Sequence, residues 1–98
     1  MYRTNSCGEL RKTDEGKRVV LSGWIHKYRN LGGLVFFDLR DKSGITQIIF
    51  DPNSLGEEIM ETANRCRNEY VVTISGIVRV KPEPNKNLST GEIEIAAD

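Results

Sequence analysis

Between Arg18 and Phe50 apolar side chains recur at alternate positions, interrupted twice by short polar or glycine-rich turns. Such alternation marks strands with one face against a core. The stretch RVVLSGWIHKYR, residues 18–29, predicts a long first strand. Gly23 inside it marks a bulge or a bend. Leu31-Gly32-Gly33 closes a hairpin into a second strand over 34–40, and DKSG turns into a third, ITQIIF, at 45–50. The period then changes. Asp51 and Pro52 end the strand, Asn53 or Ser54 caps a helix, and Leu55, Ile59, Met60, Ala63 and Cys66 form a helical stripe. Glu57, Glu58 and Glu61 near its start and Arg65 and Arg67 near its end suit the helix dipole. YVVTISGIVRVK, 70–81, predicts a fourth strand. Tyr70, Val72, Ile74, Gly76, Val78 and Val80 share one face, and Thr73, Ser75, Arg79 and Lys81 the other. A Pro- and Asn-containing surface loop, 82–91, leads to a fifth strand, EIEIA, with Ile93 and Ile95 inward and Glu92 and Glu94 outward as solvent-facing carboxylates. Ahead of these strands, Ser6-Cys7-Gly8-Glu9 has the form of a capping box and predicts a short helix to about Thr13.

Three strands, a helix and two more strands, with the first strand long and bent, is the element order of an OB-fold. This is an all-β fold with one inserted helix, a five-stranded Greek-key barrel that binds oligonucleotides on the face of strands two and three. The architectural rival is an SH3-like small barrel, which does not usually place a capped helix between strands three and four.

Composition narrows the class further. The chain has 98 residues, enough for a single domain over 1–98. At 38% hydrophobic and 29% charged residues it is expected to be globular. No apolar run approaches the ~18 residues of a membrane span, and the N-terminus shows no signal-peptide segment, so a cytoplasmic location is expected. Lysines and arginines number 14, as do aspartates and glutamates. A neutral chain can bind nucleic acid only if its bases gather on one face. Cys7 and Cys66 are the only cysteines, beside one histidine, which excludes zinc spacing and predicts two free thiols.

Alternation on strand two gives Val35, Phe37 and Leu39 to the core and leaves Leu34, Phe36, Asp38 and Arg40 outward. On strand three Thr46, Ile48 and Phe50 point in, and Ile45, Gln47 and Ile49 out. One outer surface then carries Phe36 and Gln47, with Arg29 on strand one and Arg79 on strand four. An aromatic ring offers a stacking platform for an unpaired base. An amide reads a base edge, and guanidinium groups bind phosphate or base. His26, Lys27, Arg40, Lys42 and Lys81 add positive field. The competing reading puts Phe36 beneath the N-terminal helix and makes Gln47, Arg79 and Lys81 ordinary surface residues.

The segments YRTNSCGELR, GWIHKYRNLGGLVFFDLRDKSGITQIIFDP and RNEYVVTISGIVRVK…TGEIEI cover essentially the whole chain. Together they resemble the N-terminal anticodon-binding domain of bacterial aspartyl-tRNA synthetases. The most specific parts are Gly23-Trp24 ahead of Arg29-x-Leu31-Gly32-Gly33, then Phe36-x-Asp38-Leu39-Arg40-Asp41-x-x-Gly44-Ile45-Thr46-Gln47. The resemblance implies that Phe36 stacks on the middle anticodon base, a uracil, and that Gln47 hydrogen-bonds it. It implies that Glu94 lies near the first anticodon base and that Arg29 and Arg79 lie near the anticodon loop. Lys81 stands where some members have arginine; Asn85 and Leu31 are further candidate RNA contacts. Leu31 resembles enzymes restricted to aspartate tRNA. Tyr28 and Asn30 depart from the family's common run.

The resemblance further implies an RNA partner, the tRNA for aspartate, and a homodimeric parent enzyme. ATP-dependent aspartate activation, with ATP and magnesium, belongs by the same resemblance to a separate catalytic domain beyond about residue 100. No catalytic residue, metal ligand or cofactor is expected within these 98 residues. Two other functions fit a small barrel: a general single-stranded nucleic-acid binder, or a protein-interaction or dimerisation module.

Overall fold

A computed structural model describes residues 3–81 and 90–98. Five strands, β1 (Arg18–Leu31), β2 (Leu34–Asp41), β3 (Gly44–Phe50), β4 (Val71–Val80) and β5 (Ile93–Ala97), close into a barrel in the order β1-β2-β3-β5-β4. One helix, α1 (Glu57–Arg65), lies between β3 and β4. All neighbouring strands are antiparallel except β3 and β5, which run parallel. This is the expected OB-fold order.

Closure depends on β1, which serves two partners. Its first half, Arg18 to Trp24, pairs with β4, and its second half, Trp24 to Leu31, with β2. The strand changes partner beside Gly23, where a β-carbon would lie 2.3 Å from the Arg40 carbonyl oxygen. The bulge itself falls at His26, between the Ile25 and Lys27 pairings. At the hairpin tip Gly32 and Gly33 both have positive φ, 61° and 94°, as a two-residue type I′ turn requires. At the β2–β3 turn the Asp41 carboxylate accepts from the Ser43 and Gly44 amides.

Alternation assigns the β2 core correctly, and the β3 core except for Ile49. Val35, Phe37, Leu39, Thr46 and Ile48 are at most 1% exposed, and Phe50 is buried. Phe37 packs against Phe50 with ring centroids 4.7 Å apart. Ile74 and Val78 of β4 and Ile93 and Ile95 of β5 complete the interior. Met60 and Ala63 of α1 close one end, with Leu55 and Cys66 packed at the margin. Ile59 of the same stripe is exposed, and Tyr70, expected inward, is exposed in the turn before β4. Ile49, expected outward, is also buried.

Two terminal details differ from the sequence reading. Residues 6–13 do not form a helix; a turn is followed by a 3₁₀ segment, Lys12–Asp14. Half of the capping box is present, since Ser6 N donates to Glu9 Oε1 at 2.5 Å. The helix does not follow because the Cys7 carbonyl and the Arg11 amide, which a helical turn would join, bind elsewhere, the amide to Asp14 Oδ2 at 2.8 Å. Cys7 N donates to Asp41, Gly8 N to Ser43 Oγ, and the Cys7 carbonyl accepts from the Thr46 hydroxyl. Likewise neither Asn53 nor Ser54 caps α1. The Asp51 side chain takes the Asn53 amide and its carbonyl takes the Ser54 and Leu55 amides, so the helix starts after Gly56.

Candidate nucleic-acid interface

The barrel register sets five polar side chains side by side on its outer surface. Arg29 pairs with Phe36 across β1–β2, and Asp38 with Gln47 across β2–β3. Ile48 pairs with Ile95 in the parallel β3–β5 ladder, which places Gln47 beside Glu94. Arg79 pairs with Glu94 across β4–β5. The row thus runs Asp38, Arg29, Gln47, Glu94, Arg79, with the half-buried Phe36 ring at one side.

Each neighbour in the row is bonded to the next. Arg29 Nη2 donates to Asp38 Oδ1 at 3.0 Å and approaches Gln47 Oε1 at 3.5 Å. Gln47 Nε2 donates to Glu94 Oε1 at 3.0 Å, and Arg79 Nε to Glu94 Oε2 at 2.6 Å. The Arg29 guanidinium also lies over Phe36, 5.6 Å from the ring centroid, within cation–π range. Arg29 Nε is buried and bonds to nothing among the described residues, so the group is held through its outer nitrogen and the ring.

Two residues sit deeper than the sequence suggests. Glu94 is only 5% exposed rather than solvent-facing, because Gln47 and Arg79 close over it from both neighbouring strands. Lys81 is 9% exposed rather than outward. Strand alternation ends at Val80, and the Lys81 amide binds the Glu92 carbonyl. Burial pulls the Lys81 ammonium below its ordinary pKa; Glu94 and Asp38 oppose that shift and the Arg29 charge adds to it. Three cations, Arg29, Arg79 and Lys81, therefore gather about two carboxylates, Asp38 and Glu94. A neutral chain gathers basic groups at one place in this way, the excess of one positive charge resting on Lys81 beneath the row.

Phe36, Gln47, Arg29, Arg79 and Glu94 are all brought into this one patch. Leu31 lies apart at the hairpin tip, 58% exposed. Asn85 lies outside the described residues. His26, Lys27, Arg40 and Lys42 are exposed. Phe36 does not lie under an N-terminal helix, since none forms. Among the described residues no group of His, Cys, Asp and Glu is arranged to hold a metal, and no helix is long and apolar enough to cross a membrane. Both cysteines are free thiols.

Asp38 is the residue the sequence reading undervalued. It shares a face with Phe36 by simple alternation, and the diagonal neighbour across an antiparallel pair is within reach of a long side chain. Arg29, opposite Phe36, finds Asp38 by that rule. Tyr28 and Asn30, on the other face of β1, have a separate task. Tyr28 Oη and Asn30 Nδ2 both donate to Asn64 Oδ1, at 2.8 and 2.9 Å, and tie the hairpin to α1.

Comparison with known proteins agrees with this geometry. Residues 19–98 match the tRNA anticodon family model, described as an OB-fold nucleic acid binding domain. The chain is 48% identical over 100 residues to the aspartate–tRNA(Asp/Asn) ligase of Moorella thermoacetica, all of this chain and 16% of that one. It is 50% identical over 98 residues to the aspartate–tRNA ligase of Listeria welshimeri, 98% of this chain and 16% of that one. The crystal structure of asparaginyl-tRNA synthetase from Pyrococcus horikoshii superposes with a TM-score of 0.80 at 30% identity, covering 95% of this chain and 21% of that one. The chain thus spans about a sixth of the length of the curated relatives it matches. With its barrel order, its outer row and these matches, the chain belongs to the tRNA anticodon family of OB-fold nucleic acid binding domains, in the form found in aspartyl-tRNA synthetases.

Proposed function

We propose that residues 1–98 are one anticodon-reading unit that selects the tRNA for aspartate on behalf of an aspartate–tRNA ligase. The observation that carries this reading is the meeting of a half-buried aromatic ring, Phe36, with an amide, Gln47, inside an outer row that also presents two guanidinium groups. A base unstacked from an anticodon loop gains ~1–3 kcal/mol on an aromatic platform. Phe36 supplies the platform for the middle base, a uracil, and Gln47 supplies a donor and an acceptor for its edge. Arg29 and Arg79 draw in the phosphates, while Lys81 acts through its field from beneath rather than as an exposed ligand. Glu94, covered by Gln47 and Arg79, favours a guanine at the first position through its negative charge, which suits that base's N–H groups. Leu31 at the hairpin tip and Asn85 supply outer contacts, Leu31 favouring aspartate tRNA over asparagine tRNA.

Aspartate activation with ATP and magnesium belongs to another part of a homodimeric, cytoplasmic parent enzyme. This unit binds RNA and performs no chemistry. Formation of aspartyl-adenylate by the purified 98-residue chain would overturn that division.

Titration with anticodon stem-loops tests the reading. A GUC loop should bind more tightly than loops with the same bases scrambled. Equal affinity for both, with a steep salt dependence, identifies a general single-strand binder. Failure to bind either identifies an interaction module.

A further inference from the structure

Gln47 is held on both sides by groups that cannot exchange roles. An amide carries two N–H donors on nitrogen and two lone pairs on oxygen. An ionised carboxylate only accepts, and a guanidinium only donates. Glu94 lies 3.0 Å from one end of the Gln47 amide and Arg29 3.5 Å from the other. The end facing Glu94 must be the nitrogen and the end facing Arg29 the oxygen. A half-turn of the amide would set oxygen against carboxylate and N–H against guanidinium at once. The two flanking groups are themselves fixed from behind, Glu94 by Arg79 at 2.6 Å and Arg29 by Asp38 at 3.0 Å.

We propose that Glu94 and Arg29 lock the Gln47 amide in one of its two orientations. The site then accepts a base that presents a carbonyl beside a ring N–H and rejects one with these roles exchanged. The proposal rests on the anticodon reading above and adds the device behind its choice. One N–H and one lone pair of Gln47 remain for a ligand. Uracil offers a carbonyl oxygen next to N3–H, whereas cytosine offers an amino group next to a bare N3. The two pyrimidines have the same shape and stack alike on Phe36. A freely turning amide fits either one, by rotating between them. A locked amide fits one alone. Glu94 and Arg29 are thus positioning residues for the middle base, acting through Gln47, whatever direct contacts they also make.

The test uses the 98-residue chain, its Glu94→Gln variant and stem-loops carrying uracil or cytosine at the middle anticodon position. Glutamine in place of Glu94 keeps the shape, but Arg79 holds its oxygen and turns its NH2 toward Gln47, so the two flanking groups now favour opposite orientations of the Gln47 amide and the lock is lost. The preference for uracil over cytosine should fall by about tenfold, within the range one bidentate base contact discriminates. The ratio carries the result, because the lost Glu94 charge at the first base and any structural defect weaken both loops alike, whereas release of the Gln47 amide narrows the gap between them. An unchanged ratio, or equal weakening of both loops, overturns the lock and leaves the anticodon reading intact. A wild-type chain with no preference between the loops overturns the anticodon reading itself. Should the variant bind too weakly to titrate, amide NMR on the free chains decides. The Gln47 proton facing Glu94 should resonate downfield in the wild type and lose that shift in E94Q, and identical Gln47 resonances in the two chains refute the proposal.

Discussion

Phe36 and Phe37, adjacent in sequence, stand on opposite surfaces of β2: Phe37 is 1% exposed against Phe50, and Phe36 is half-buried under the Arg29 guanidinium. Phe37→Ala should cost ~3–5 kcal/mol, the usual loss when a buried aromatic is emptied from a core. Phe36→Ala should cost only about 1 kcal/mol, chiefly the cation–π contact and part of its burial. Denaturant melts of the two variants check the contrast, and anticodon stem-loop binding should fail for F36A at nearly wild-type stability. Similar destabilisation by both would show that the strand register is misassigned.

The bond from Arg79 to Glu94 spans the last strand pair at 2.6 Å, with Glu94 covered and Arg79 44% exposed at its side chain. Removing one member of a buried pair typically costs 3–5 kcal/mol because the other charge is stranded. Solvent at the arginine end softens that penalty, so Arg79→Ala should lose about 1–2 kcal/mol. A double-mutant cycle gives the sharper reading. In a Glu94→Gln background the same change should cost clearly less, because no carboxylate is left unpaired. Equal costs in both backgrounds would show that the pair contributes nothing specific.

Asn64 joins α1 to the β1–β2 hairpin through Tyr28 and Asn30, and its own amide donates to the Met60 carbonyl. Tyr28→Phe deletes one hydrogen bond and should cost ~0.5–1.5 kcal/mol. Asn64→Ala deletes three and should cost more. Hydrogen exchange should also speed up selectively at Leu31 and Leu34, where the hairpin is freed from the helix. Loss of protection spread evenly through the barrel would contradict this local role.

Much of this arrangement can be read from residue alternation, for a definite reason. In β2 and β3 one face meets a dry interior, so Val35, Phe37, Leu39, Thr46 and Ile48 must all fall on one parity. Once that parity is set, Phe36, Asp38 and Gln47 are outward by necessity. Periodicity fails where the ladder ends or where a tertiary partner intervenes. Lys81 lies one residue past β4 and turns inward. Glu94 keeps its outward parity yet is covered by Arg79 and Gln47, contacts that depend on the closed barrel rather than on its own strand. The capping box at Ser6 is a local signal, and distant Ser43 and Thr46 take the Gly8 amide and the Cys7 carbonyl that a capped first turn would use.

The two thiols should behave differently. Cys7 is fully buried, and burial together with the nearby Asp41 charge pushes its pKa up to about 12. Cys66 is half-buried, and burial raises its pKa as well. The thiolate is the reactive form, so both should be sluggish at pH 8. With a thiol-reactive disulfide reagent, Cys66 should react slowly in the native chain and Cys7 only after unfolding. Rapid modification of Cys7 under native conditions would mean that the N-terminal segment opens readily from the barrel.

Asp41 ties that segment down, and its behaviour with pH follows from its partners. Its oxygens accept from the amides of Cys7 and Ser43, both at 2.8 Å, from the Ser43 hydroxyl at 2.6 Å and from Arg3 at 3.0 Å. Burial pushes its pKa up, but the hydrogen bonds from Cys7 and Ser43 prevail, so the net shift is downward. A folded pKa below the unfolded value means that the unfolded chain binds the proton more readily. The stabilisation is therefore complete above the unfolded pKa, near ~4. It drains away as pH falls through the lower folded pKa. Asp41→Asn should cost about 2 kcal/mol at pH 7, the range for hydrogen bonds to a charged acceptor, since one end of an amide can only donate. Stability profiles from pH 7 downward should converge as the wild-type carboxylate takes up its proton, and a gap that stays constant below pH ~3 would refute this assignment. The same substitution removes a charge that raises the Cys7 pKa, so Cys7 should become somewhat more reactive in D41N while burial still holds it above an ordinary thiol.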